Sequence, residues 1–343
     1  MRYIGSKVLL LEEIEKIIKN KKLNVKSFCD IFSGTSIVGR YFKKDFQIIS
    51  NDFLYFSFVL QKATIQNDCY PTFQNIKKNL HRELFDYLQN TNIQPNHLTN
   101  EPFIYKNYSP NKYSKRQYFS NQNALRIDFI RQTIQEWKNK DFLNENEYFY
   151  LLASLLESIP FISNIAGTYG AYLKYWDKRA LKKLELPQLE IVENKKNNQC
   201  FNKNSNELIR EISGDMLYID PPYNSRQYAP NYHILETVAK YDNPKIYGKS
   251  GMRPYGDKKS DYCIKNKALN MLSDLIENAN FKYILLSYSN EGIMNINEIE
   301  NVLKQFGKEG SYELIKIPYR RYKHISKKIE HNLHELLFYI EKR

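Results

Sequence analysis

Apolar and polar positions alternate along this chain in two distinct rhythms. Near the amino end, Val25–Ile31 reads as a buried strand, the sequence FSGTS as a turn, and Ile37–Phe42 as the first turns of a helix. Phe46–Asn51 reads as a second strand, followed by an apolar helix from Leu54 to about Ile65. Strands alternating with helices predict a parallel sheet. From about Asp68 the rhythm stops, and helical pieces surround a polar, Tyr-rich stretch from Glu101 to Asn123. It returns with a helix near Asn206–Ile212, a strand Met216–Ile219, a helix Ile264–Asn280, a strand Tyr283–Ser287 and a helix Ile296–Phe306. Two closing strands, Tyr312–Ile317 and Leu336–Ile340, are close enough in sequence to pair antiparallel.

This pattern predicts an α/β catalytic domain in two parts, 1–67 and 190–343, interrupted by an inserted, mainly helical lobe over 68–189. A chain of 343 residues is long enough for one full core and an added lobe. The 14% aromatic content argues against disorder. The four cysteines have no paired spacing, so neither a disulfide framework nor a zinc knuckle is expected, and no metal is expected at His331 and His334. No apolar stretch is long enough to span a bilayer and MRYIGSK has no signal-peptide form, so a soluble cytoplasmic protein is expected.

A formal charge of +13 changes the picture, because such a field concentrates polyanions. Lys-rich and Asn-rich composition from an AT-rich genome would give the same number, so charge alone does not establish nucleic-acid binding. Three basic clusters are candidates for DNA contact. Lys112, Lys115 and Arg116 sit among tyrosines in the lobe; Arg226 lies within the motif described next and Arg253, Lys258 and Lys259 follow it; Arg320 and Arg321 lie between the last two strands. Each could instead be a solvated surface.

The strongest chemical signal is YIDPPYNSRQY, Tyr218–Tyr228. An apolar strand delivers Asp220 and then Pro221 and Pro222 to the carboxyl edge of the sheet, where open α/β sheets bind ligands. Consecutive prolines hold the backbone extended and give up two amide donors, leaving carbonyl oxygens to accept. A carboxylate beside rigid carbonyls is an acceptor array for an NH2 group, and Tyr223 adds a plane on which a base can stack. A simple Pro-Pro turn with a capping aspartate is the plainer alternative. In the amino-terminal loop Asp30, Phe32 and Gly34 lie between strand and helix, where a glycine lets backbone approach a ligand, although an ordinary tight turn has the same form. Asp52 ends the next strand, 22 residues after Asp30, the spacing at which such folds place an acid to grip ribose hydroxyls; it could equally cap the following helix.

DPPY resembles the catalytic motif of the N6-adenine DNA methyltransferases on the class I S-adenosylmethionine-dependent fold. The motif order is similar to their alpha group, which includes the Dam-type enzymes. The longer run DPPYNSRQYAPNYHILETVAKYDNP resembles the restriction-modification branch related to the FokI-type enzymes. The resemblance runs from Arg2 to the last strand. It implies a Rossmann-like sheet with a closing antiparallel hairpin and a lobe that recognises the target. It implies S-adenosylmethionine as methyl donor with S-adenosylhomocysteine as product, double-stranded DNA as substrate, and a cognate restriction endonuclease as partner, with a monomer favoured.

By that similarity Asp220 and the Pro221 carbonyl hold the amino group of an extruded adenine, while Tyr223 stacks on its ring. RYIGSK resembles the family's amino-terminal motif, which makes Tyr3 and Lys7 candidates beside the methionine portion of the donor. Asn204 stands where the family usually carries an Asp against the donor's adenine, and Ser36 stands at the second glycine of FxGxG. Cytosine-directed relatives usually carry Ser at the place of Asp220, and glutamine- and RNA-directed ones more often Asn, so the Asp favours adenine in DNA. The departures at Ser36 and Asn204 keep open a second reading, a weak or inactive DNA-binding specificity subunit.

Overall fold

The structure is a computed structural model and describes residues 5, 7–94, 97–318 and 334–343. Two compact units divide the chain. One holds Lys7–Phe53, Asn194–Tyr228 and Lys259–Arg343, and the other is built on Leu54–Glu193 and Ala229–Lys258. No helix among the described residues is long and apolar enough to cross a membrane.

The first unit is a seven-stranded sheet. Its strands are β1 (Ser27–Asp30), β2 (Gln47–Asn51), β3 (Gln199–Phe201), β4 (Ser213–Ile219), β5 (Asn280–Ser289), β6 (Glu313–Pro318) and β7 (His334–Glu341). Their order is β3-β2-β1-β4-β5-β7-β6. All neighbours are parallel except β7, which runs antiparallel to both β5 and β6. This is the α/β sheet expected of a class I methyltransferase, including its closing antiparallel pair. Most predicted elements agree to within a few residues, and the helices Ile37–Phe42 and Ile296–Phe306 match at both ends. β3 went unpredicted, because three residues carry no readable period.

Side chains alternate across the sheet as the pleat requires. Cys29, Leu217, Ile284 and Phe338 join a core covered by the helices Lys265–Glu277 and Ile296–Phe306. On the opposite face Phe28 stacks on Phe42 at 4.7 Å and lies 6.1 Å from Tyr218. Both faces of the central strands are therefore covered, which explains why they read as nearly unbroken apolar runs. β1 has β2 on one side and β4 on the other, so the strand order reverses between β1 and β4. Ligands settle in the crevice that opens beyond the carboxyl ends at such a point.

The second unit contains the helices Tyr55–Gln61, Leu84–Asn90, Phe103–Tyr108, Asn121–Asn139, Glu145–Ile162 and His233–Lys240. It contains the whole stretch expected as a lobe and extends beyond it at both ends, and it also takes in a segment that follows DPPY in sequence. Polar contacts tie in the amino-terminal extension and the segment after DPPY. Glu236 accepts the Phe56 amide at 3.0 Å, drawing in the helix that begins at Tyr55. Arg131, 3% exposed, donates to the carbonyls of Val238 (3.0 Å) and Ala239 (3.3 Å), a cation at a helix carboxyl end.

Asp128 is the buried hub of this unit. It accepts from the amides of Ile104 (2.9 Å) and Tyr105 (2.8 Å), which open a helix, and from the Tyr241 hydroxyl (2.5 Å). Burial still outweighs those donors and pushes its carboxyl up to about 7. Asp128→Ala would strand two amides and a phenol in the interior. It is expected to lower the stability of this unit by roughly 2–4 kcal/mol, read as an earlier unfolding transition in thermal or urea denaturation.

Candidate active site

β4 is held between β1 and β5 by register pairs that continue to Ile219, so the backbone direction of the next residue is fixed. Asp220 leaves the strand there, followed by buried Pro221, half-buried Pro222 and half-buried Tyr223. The loop after β5 closes against this segment. The Ile293 amide donates to the Tyr223 carbonyl at 3.0 Å, and the Met294 amide donates to the Tyr288 hydroxyl at 3.0 Å. The Tyr288 ring meets Tyr223 edge to face at 6.1 Å. Gly292 lies so close that a Cβ there would fall 2.1 Å from the Tyr288 ring. Tyr288 is therefore wedged between Gly292 and Tyr223, and it fixes the plane of the Tyr223 ring.

Lys7 is a buried cation at this edge of the sheet. Lys7, 5% exposed, places Nζ 3.2 Å from Asp220 Oδ1 and 3.2 Å from each carboxylate oxygen of Glu335 on β7. The same ammonium lies 5.2 Å from the centroid of the Tyr223 ring. Burial works against the charge of Lys7, but the attraction of Asp220 and Glu335 outweighs it and holds its pKa above the ordinary lysine value. Burial pushes the Asp220 carboxyl up to about 7; Lys7 pulls it down and Glu335 pushes it up again.

Asp30, at the end of β1, is 1% exposed, and burial together with the nearby Asp220 and Asp52 holds its carboxyl well above the usual range. Its loop turns through Gly34 at φ 52° and Ser36 at φ 62°. Ser36 thus adopts the left-handed backbone that a glycine would take without strain, at a cost of about 1–2 kcal/mol. The loop is braced by Ser33 N donating to Asn51 O (2.9 Å) and by Gly34 N donating to Asp52 Oδ2 (2.9 Å). Phe32 is half-buried and meets Tyr262 edge to face at 5.1 Å. Asn204 caps the short helix Ser205–Leu208 by accepting from the Asn206 amide at 2.9 Å. The side-chain oxygen expected to face a donor adenine is thus engaged in the fold, whereas Asp220 meets Lys7 and Asp30 lies near Asp220. Tyr3 lies outside the described residues. The acids present fit a cationic methyl donor: Asp220 and Glu335 share the Lys7 ammonium, and Asp30 lies near both Asp220 and Asp52.

The positions expected to touch DNA fall into different surroundings. Lys112 and Lys115 are exposed, Lys112 Nζ lies 5.0 Å from the ring centroid of exposed Tyr113, and Lys259 and Arg226 are exposed on the sheet unit. Lys258 is half-buried. Arg116 donates to the carbonyls of Asn107 (3.2 Å), Gly248 (3.0 Å) and Lys249 (3.0 Å), and Arg253, 7% exposed, pairs with Asp242 at 2.7 Å. Both guanidinium groups are engaged by their own unit, Arg253 buried and Arg116 half-buried. Arg320 and Arg321 lie outside the described residues. Sequence reasoning missed Glu335, which reaches the site through the pairing of β5 with β7, and Tyr288 and Gly292, which reach it because β5 lies beside β4.

Three relatives set this geometry in context. Type II methyltransferase M.FokI of Planomicrobium okeanokoites is 52% identical over 343 residues, which cover all of this chain and 53% of the relative. Modification methylase StsI of Streptococcus sanguinis is 45% identical over all of this chain and 52% of its own length. The chain thus spans about half the length of these two. Type II methyltransferase M.NlaIII of Neisseria lactamica is 42% identical over 94% of this chain and 92% of its own. The profile of the D12 class N6 adenine-specific DNA methyltransferases matches residues 3–302, and the chain belongs to that family.

Proposed function

We propose that this chain transfers a methyl group from S-adenosylmethionine to the exocyclic amino group of an adenine flipped out of duplex DNA at a specific sequence, as the modification partner of a restriction endonuclease. Membership of a methyltransferase family implies a methyl donor. The observation that carries the reading is Asp220 at the carboxyl end of β4, beside Asp30 at the strand-order reversal, with Lys7 against it.

S-adenosylmethionine, when bound, supplies a methyl group activated on a positively charged sulfur. Asp30 and the turn through Gly34 and Ser36 are the residues that would hold it, with Asp52 as the acid at the end of β2. Asp220 and the Pro221 carbonyl accept the two N–H bonds of the amino group, which draws the nitrogen lone pair out of the ring and toward the methyl carbon. As the new N–C bond forms and the methyl group's bond to sulfur breaks, leaving a neutral thioether, the nitrogen becomes acidic, and a carboxylate raised to about 7 can take its proton. Tyr223, its plane fixed by Tyr288, stacks on the extruded base. The exposed Lys112, Lys115, Arg226 and Lys259 supply phosphate contacts, and the unit around Asp128 supplies target recognition.

Purified protein incubated with labelled donor and mixed-sequence DNA, followed by mapping of the modified adenines, tests the reading; no incorporation and no donor binding by calorimetry would refute it. Asp220→Ala is expected to lower turnover at least a hundredfold while DNA affinity stays nearly unchanged, measured by single-turnover kinetics and a gel-shift titration. Tyr223→Phe should keep most of the activity and Tyr223→Ala should lose about 1–3 kcal/mol of base capture, seen as a raised KM for DNA. Gly292→Ala should depress turnover by displacing Tyr288 from Tyr223, and a fluorescent adenine analogue in the target site should report weaker stacking.

A further inference from the structure

Glu335 lies outside residues 3–302, the stretch that the family's profile matches. It stands near the start of β7, opposite Ser289 of β5, just before the apolar run Leu336–Ile340. It is 5% exposed, and a carboxylate so placed is costly unless paired. Its partner is Lys7, reached by both oxygens at 3.2 Å. A purely structural ion pair would end there. This one does not, because the same ammonium is 3.2 Å from Asp220 Oδ1.

We infer that Glu335 is a positioning residue for methyl transfer: by holding Lys7 with both carboxylate oxygens it keeps that ammonium from pairing fully with Asp220, and so leaves the Asp220 carboxylate able to turn to the target amino group. The inference rests on the amino-methylation reading above. The charged and titratable groups that face Asp220 are Lys7 from the segment before the helix Leu11–Asn20, Glu335 from β7, Asp30 from the end of β1 and Tyr218 from its own strand, while the Tyr223 ring faces Lys7. Removing the negative charge of Glu335 gives Asp220 one repelling neighbour fewer and the whole of Lys7. Both changes favour the ionised carboxylate and lower its pKa. The form that accepts the amino N–H then persists to lower pH, while Asp220 is held more firmly by Lys7.

Glu335→Gln and Glu335→Asp in the full chain test this, with methyl transfer to mixed-sequence DNA followed from about pH 5.5 to about pH 9. The unaltered protein should lose turnover on the acid side of about pH 7, where Asp220 becomes protonated. Glu335→Gln should move that acid limb down by about one pH unit and lower the plateau, with KM for DNA and for donor within about twofold of the original. Glu335→Asp keeps the charge but draws it back by one methylene, so its limb should move the same way by less. Circular dichroism and thermal melting establish that each variant is folded, and if Glu335→Gln is not, the Glu335→Asp limb decides. An unmoved limb, or a loss of turnover equal at every pH, overturns the positioning role while leaving the proposed function intact. A failure of the unaltered protein to transfer methyl groups overturns both.

Discussion

One buried ammonium group, Lys7, ties the DPPY segment to the closing strands of the sheet. It is buried among carboxylates at the carboxyl edge of the sheet, where an unpaired charge of either sign would be strongly unfavourable. Its two partners come from distant strands, Asp220 from the end of β4 and Glu335 from the start of β7. The first lies in the parallel part of the sheet and the second in the antiparallel closing pair. The strand order β4-β5-β7 is therefore what makes the contact, since one intervening strand separates the two acids by a distance that one lysine head group can bridge.

Among the described residues, the same edge gathers Asp30, Asp220 and Glu335. Asp30 and Asp220 repel one another, and each has its carboxyl raised by burial first and by neighbouring acids after that. These acids lie where the strand order reverses between β1 and β4, the point at which open α/β sheets bind ligands. The ring of Tyr223 is fixed by different means, through packing. Tyr288 touches it on one side and leaves no space for any side chain at position 292 on the other.

The second unit shows how buried polar groups assemble a lobe from separated stretches of chain. Asp128 collects two helix-opening amides and a phenol from beyond the helix His233–Lys240, and Arg131 binds the carbonyls that end that helix. Arg116 does the same for the turn at Gly248 and Lys249. Arg116 and Arg253 illustrate the limit of reading basic residues as nucleic-acid contacts. A guanidinium has five donors in a fixed fork, and it is as well suited to backbone carbonyls or a buried carboxylate as to phosphate.

The sequence by itself determined the sheet class, most of its strands and helices, and the DPPY segment with its position after a strand. Those features are local: a period of two or 3.6 and the stiffness of two prolines are set by neighbours along the chain. It also carried the family, because the motif and its long continuation are contiguous. Tertiary structure alone decided that Glu335 meets Lys7, that Gly292 is confined by Tyr288, that Asn204 is spent on a helix cap and that Ser36 accepts a left-handed backbone. Each of these depends on register between strands or on which hydrogen-bond partner wins a side chain. Such choices are made by residues up to 328 positions apart, whose proximity no periodicity encodes.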